Sequence, residues 1–137
     1  MVLTALRDDA LHTLRDGYAL RLSLPWIRSL PLAGLVDPAV RVDGQPLPAT
    51  VAIGDRRVDP DDLRAETWWW HLQDRLVLHL TGAASAGIHE VSVSFGLELP
   101  YLEGGTDGPL RLPFFFTRAL DTATPTTGVS RDVGSPA

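Results

Sequence analysis

The chain has 137 residues, which is enough for one domain with its own hydrophobic core. Its net charge of −5 argues against binding to nucleic acid, because duplex binding needs a concentrated basic surface. The absence of cysteine excludes disulfides, zinc–thiolate sites and thiol catalysis, and the absence of lysine excludes Schiff-base catalysis.

The sequence also predicts where the protein works. No apolar run approaches the roughly 18–20 residues that span a bilayer, so we expect no membrane contact. The first residues carry acidic side chains where a signal peptide has a basic start and an apolar stretch. We therefore expect a cytoplasmic protein.

In chain order, six stretches have the apolar–polar alternation of β-strands. They are residues 18–24, 39–44, 49–58, 75–80, 88–99 and 110–120. Helix is limited to single turns near residues 29–34 and 60–63, and most prolines and glycines lie between the stretches, where they favour turns. This spacing predicts an all-β fold, a single-domain antiparallel β-sandwich of seven to eight short strands.

The last part of the chain differs from the rest in composition. Residues 122–137 are small, polar and poor in apolar side chains. We therefore predict a β-sandwich domain over residues 1–121 and a disordered tail over residues 122–137.

No motif assigns a catalytic, cofactor-binding or metal-binding residue to this chain. The P-loop, the dinucleotide fingerprint and the nucleophile elbow are all absent from the sequence. The four histidines lie on separate segments, and a metal site would need three of them to converge. His79 alternates with leucines, which predicts an exposed or interface position, and His89 follows a glycine, which favours a bond to neighbouring backbone over a catalytic role.

Aromatic residues are more abundant than one sandwich core requires. Residues 68–70 are three tryptophans, and residues 114–116 are three phenylalanines. Alternation directs Trp68 and Trp70 to one face of a strand, which we expect to lie in the core, and Trp69 to the other, outward face. Since a sandwich buries one face of each sheet, a second covered surface is implied. Loops of the same chain, a bound sugar or a partner protein would each cover it.

Three stretches, taken in order, resemble the small beta subunit of bacterial C-glycoside deglycosidases. They are LRLSLPWIRSLPLAGLVDPAVRVDGQPL (20–47), WWHLQDRLVLHL (69–80) and AGIHEVSVSFGLELPYL (86–102). The first matches a Pro-Tyr/Trp-x-Arg-x-x-Pro-Leu step before a Val-x-Val-Asp-Gly strand, and the last matches a Gly-x-His-x-Val strand. The resemblance covers roughly residues 18–118, and the triple tryptophan and the threonine-rich tail depart from it.

The resemblance implies an accessory subunit of a carbon–carbon lyase complex, inactive when isolated. In this family an isomerase-like barrel, the alpha subunit, holds a divalent metal, usually taken as Mn²⁺, and no cofactor is expected on this chain. The substrate is a 3-oxo-C-glucoside bound at the alpha-subunit site. Its ketone acidifies the proton on sugar carbon 2, and the metal can stabilise the resulting enolate while the bond to the aglycone breaks.

The aromatic surplus and the resemblance together give one set of candidate partner-interface residues. They are Trp26, Ile27, Arg28, Trp69, Tyr101 and Phe115. Two alternatives stay open: a carbohydrate-binding module with an aromatic stacking platform, and a structural domain that associates with itself.

Overall fold

The computed structural model describes residues 4–103, 109–125 and 131–134, without the side chains of residues 100–103 and 109. The strands are β1 (Leu11–Leu14), β2 (Gly17–Ser23), β3 (Leu30–Pro31), β4 (Leu35–Val42), β5 (Gln45–Leu47), β6 (Ala49–Ile53), β7 (Arg56–Val58), β8 (Trp69–Trp70), β9 (Asp74–Thr81), β10 (Ile88–Glu103), β11 (Pro109–Asp121) and β12 (Arg131–Asp132). Two short 3₁₀ turns span Leu32–Gly34 and Pro60–Ala65. Within this part of the chain, no helix is long and apolar enough to cross a membrane.

The strands form two main sheets and one short ribbon. One sheet has the order β1-β2-β9-β6-β7, with β12 added beside β9, and the other has the order β11-β10-β4-β5. The ribbon pairs β3 with β8. Every described pairing except β12 with β9 is antiparallel. The predicted all-β antiparallel sandwich is confirmed. The strands exceed the predicted number because alternation does not identify strands of two or three residues.

The core lies between the two main sheets and follows the predicted alternation. The six-stranded sheet contributes Leu20, Leu22, Val51, Leu76, Leu78 and Leu80, and the four-stranded sheet contributes Val40, Val91, Val93, Phe95, Leu97 and Leu99, all buried. The Phe95 ring stacks on those of Phe114 and Phe116, with centroids 5.6 Å and 6.4 Å apart. The apolar cluster is continuous, so the sheets pack as one unit.

Residues 131–134 pack against the six-stranded sheet. Val133 donates its backbone N–H to the carbonyl of Arg75 at 2.9 Å, and its side chain is only 1% exposed. Asp132 forms an ion pair with Arg21 at 3.1 Å. These contacts pair residues 131–132 with the start of β9 and bury the side chain of Val133. The domain bounds 1–121 and the disordered tail over residues 122–137 stay predictions.

Candidate interaction surface

The β3–β8 ribbon brings two separate predicted regions together. Pro31 lies opposite Trp69 in the ribbon, and Leu32 donates its backbone N–H to the carbonyl of Trp68 at 3.0 Å. Two residues beyond the ribbon, Leu72 donates its backbone N–H to Ser29 Oγ at 3.0 Å. The loop at residues 26–29 therefore adjoins the segment 68–72.

Trp70 is the buried member of the tryptophan run. It is 1% exposed, and its ring lies 6.4 Å from that of Phe95 in the core. Its indole Nε1–H donates to the carbonyl of Asp74 at 3.1 Å, which satisfies the one polar atom that burial would otherwise leave without a partner. Trp69, on the other face of β8, is 47% exposed, so alternation predicted both positions correctly.

Trp68 does not lie in the core, contrary to our prediction. It is 46% exposed. The strand spans only Trp69–Trp70, so Trp68 precedes it and the alternation rule does not apply to its side chain. Ile27 and Leu72, on the two adjoining segments, are 67% and 49% exposed. We call the exposed side chains of Ile27, Trp68, Trp69 and Leu72 the tryptophan patch.

The other interface candidates have different positions. Trp26 is partly buried against the core, and Arg28 is exposed in the same loop as Ile27. Phe115 is 69% exposed and lies on the outward face of the four-stranded sheet, opposite Ser94. The side chain of Tyr101 lies outside the described part of the chain. The structure thus joins Trp69 with the loop of Trp26, Ile27 and Arg28, while Phe115 belongs to another surface.

His79 is buried, which corrects the prediction of an exposed position. Its side chain faces outward from the sheet as predicted, yet it is 4% exposed. Its Nε2 lies 2.9 Å from the carboxylate of Asp16, which belongs to the turn between β1 and β2. This contact lowers the pKa of the Asp16 carboxyl. Among the described residues, no cluster of three or more histidines and acids could hold a metal ion.

His89 is also buried, and it joins two turns. Its Nδ1 lies 2.6 Å from Asp43 Oδ2, and its Nε2 lies 2.7 Å from the backbone carbonyl of Ser85. Asp43, which has φ of 51°, also accepts the backbone N–H of Glu90 at 2.9 Å. The predicted bond between this histidine and neighbouring backbone is therefore confirmed.

The Asp43, His89 and Ser85 side chains resemble a hydrolytic triad only superficially. Ser85 Oγ lies 3.4 Å from His89 Nε2, but that nitrogen is closer to the Ser85 carbonyl, which can only accept. Both ring nitrogens therefore face acceptors, an arrangement that favours the doubly protonated ring. The hydrogen bond with Asp43 raises the pKa of His89, and the same bond lowers the pKa of Asp43. Because the Ser85 carbonyl and not its hydroxyl makes the short contact with Nε2, the geometry does not place His89 as a general base for Ser85.

A search of protein-family models gives no match to the chain. A curated protein from a Microbacterium species, the 3'-dehydrocarminate deglycosidase beta subunit, is 33% identical over 100 residues. The aligned region covers 69% of this chain and 76% of that protein. The chain belongs to the same family as this beta subunit. By its name, that relative is one subunit of a deglycosidase.

Proposed function

We propose that this chain is the small beta subunit of a heteromeric C-glycoside deglycosidase. In this proposal it supports an isomerase-like barrel, the alpha subunit, which cleaves the carbon–carbon bond of a 3-oxo-C-glucoside and releases the aglycone. The observation that carries the proposal is that the chain is 33% identical to a deglycosidase beta subunit. The alignment covers 76% of that subunit. The chain is then the accessory subunit of a carbon–carbon lyase and works in the cytoplasm.

The tryptophan patch supports the need for a partner. Trp68 and Trp69 each expose almost half of their surface, and the exposed side chains of Ile27 and Leu72 lie on adjoining segments. Clustered apolar exposure of this kind marks interaction sites, and tryptophan is enriched among the residues that dominate binding energy. We propose that the patch, with Arg28 at its margin, contacts the alpha subunit.

The division of labour follows from which groups each subunit supplies. The donor set for a divalent metal, Mn²⁺ in this proposal, and the base that removes the proton from sugar carbon 2 both belong to the alpha subunit. This chain contributes a rigid sandwich that presents the patch. We expect no release of aglycone by the isolated chain.

The test is co-expression with the alpha subunit, followed by affinity measurement and assay of aglycone release from a 3-oxo-C-glucoside. We expect a stable hetero-complex, which Trp69→Ala weakens by about 2 kcal/mol or more, as for a hot-spot aromatic. Ile88→Ala is the matched control, because Ile88 is 71% exposed and lies at the start of β10, away from the patch.

Two results would contradict the proposal. Sugar binding by the isolated chain that depends on Trp68 and Trp69, without hetero-complex formation, would favour a carbohydrate-binding module. A homo-oligomer that forms no complex with the alpha subunit would favour a self-associating domain.

A further inference from the structure

The outward face of the six-stranded sheet contains a trough that the proposed interface does not use. Its volume is about 330 Å³, which is within the size range of small-molecule sites. The lining side chains come from β1, β2, β9, β6 and β7 and from residues 132–133. The trough exists because the central strands carry small side chains outward, namely Ala19 and Ala52.

The sheet register fixes how the lining residues are arranged. Arg21 lies opposite Val77, Val77 lies opposite Ala52, and Ala52 lies opposite Arg57. These four positions form one row across four strands, with an arginine at each end and an apolar floor between them. Three strand spacings put about 14 Å between the two arginine Cα atoms. The floor therefore lies between two arginine side chains, of which Arg21 is held by Asp132 and His12.

The polar groups at the trough keep hydrogen-bonding capacity. His79 is 4% exposed and lines the trough, and it uses Nε2 for Asp16, while its Nδ1 has no partner among the described residues. Arg57 lies 3.7 Å from Asp16 Oδ2, beyond hydrogen-bond distance, and its side chain is 55% exposed. Arg21 donates to Asp132 at 3.1 Å through Nε, and its first terminal nitrogen, Nη1, lies 3.2 Å from His12 Nδ1. Its second terminal nitrogen, Nη2, has no partner in the described part of the chain.

From this arrangement we infer that the trough binds a small carboxylate with a compact apolar body. Guanidinium groups recognise carboxylates by charge-assisted hydrogen bonds, and Val77 and Ala52 offer an apolar surface to the rest of the ligand. A sugar fits less well, because no tryptophan, tyrosine or phenylalanine lines the trough. The site is independent of the proposed partner interface, so either proposal can fail without the other.

The test uses NMR titration of the full chain with benzoate as the probe. We expect saturable shifts of the amides at residues 76–79 and 51–53, with a dissociation constant in roughly the millimolar range typical of small fragments. Acetate, which lacks the apolar body, and benzyl alcohol, which lacks the charge, should each bind at least about threefold more weakly.

Variants separate the site from nonspecific anion binding. Arg57→Gln should weaken benzoate binding about threefold, the effect of one partly exposed ion pair. Ala52→Ile should abolish it by filling the floor without removing a charge. Arg41→Gln is the matched control, since Arg41 is exposed on the other sheet, and it should change nothing. Equal shifts with benzyl alcohol, shifts outside the trough, or equal effects of Arg57→Gln and Arg41→Gln would overturn the inference.

Discussion

A short contact between the buried side chain of His89 and the exposed side chain of Asp43 connects the start of β10 to the turn between β4 and β5. The distance from His89 Nδ1 to Asp43 Oδ2 is 2.6 Å, and the His89 side chain is 10% exposed while that of Asp43 is 53% exposed. The edge of the His89 ring also packs against the ring of Tyr18, with centroids 5.5 Å apart. One histidine therefore connects both main sheets.

This pair predicts how stability depends on pH. The pKa of His89 is raised from its usual 6.5, so the stabilisation from its charged form is present below that value and is lost as the pH rises through the raised pKa. The pKa of Asp43 is lowered from 3.8, so its stabilisation is present above that value and is lost as the pH falls through the lowered pKa. We expect His89→Gln to destabilise the protein most between about pH 4 and 6.5.

Urea unfolding of wild type and variant at pH 5 and pH 9 measures this difference. His71→Gln is the control, since His71 is exposed. A His89→Gln effect of the same size at both pH values would mean that the charged form contributes nothing.

Replacing Trp69 and replacing Trp70 by alanine should have very different effects on the free energy of unfolding. Trp70→Ala removes a fully buried ring and should lower the free energy of unfolding by about 3–5 kcal/mol. Trp69→Ala truncates a half-exposed side chain and should change it by about 0.5 kcal/mol or less. Thermal melts of the isolated variants compare the two. Equal destabilisation would indicate that both indoles support the fold.

β10 and the tryptophan run show what the sequence could and could not predict about strands. Alternation placed the residues of β10 correctly, because a long strand keeps the period of two over many side chains. It failed at Trp68, because the ribbon pairs only two residues on each side. Strand length depends on tertiary pairing, which the local pattern does not contain.

Contacts between residues that are far apart in the sequence could not be predicted from it either. The sequence indicated that His79 faces away from the leucines, which is correct, but not that Asp16 covers it from 63 residues away. The position of His89 was easier, because its partner Ser85 is four residues away and a preceding glycine indicated the strand start. Local geometry was thus predictable from the sequence, and long-range side-chain contacts were not.

The segment at residues 131–134 should contribute to stability, because Val133 is buried and its backbone N–H bonds to β9. Val133→Ala removes two buried carbon atoms and should cost about 1.6 kcal/mol. Gly134 has φ of 81°, and a Cβ there would lie 2.5 Å from the backbone nitrogen of Gly54, so Gly134→Ala should also destabilise. Arg131→Ala, at an exposed position, is the control. Unchanged urea midpoints for Val133→Ala and Gly134→Ala would mean that this segment does not pack in solution.

Asp9 and Arg75 form a buried ion pair. Removing both charges should lower the free energy of unfolding only slightly, whereas removing the carboxylate alone should lower it strongly. Arg75 Nη1 and Nη2 lie 2.7 Å and 3.2 Å from the two Asp9 oxygens, and the side chains are only 3% and 5% exposed. Asp9→Ala leaves the guanidinium buried without this carboxylate and should cost about 3–5 kcal/mol. Asp9→Ala combined with Arg75→Met removes both charges and should recover much of that loss.

The neighbouring pair of Asp8 and Arg118 provides the control for burial. Asp8 is 77% exposed, so Asp8→Ala should cost about 1 kcal/mol or less. Urea unfolding of the three variants at one pH gives the comparison. If Asp9→Ala and Asp8→Ala cost the same, the buried position of Arg75 does not set the penalty. If the double variant is as unstable as Asp9→Ala, the loss comes from packing around residue 9, because removing the second charge would then have relieved nothing.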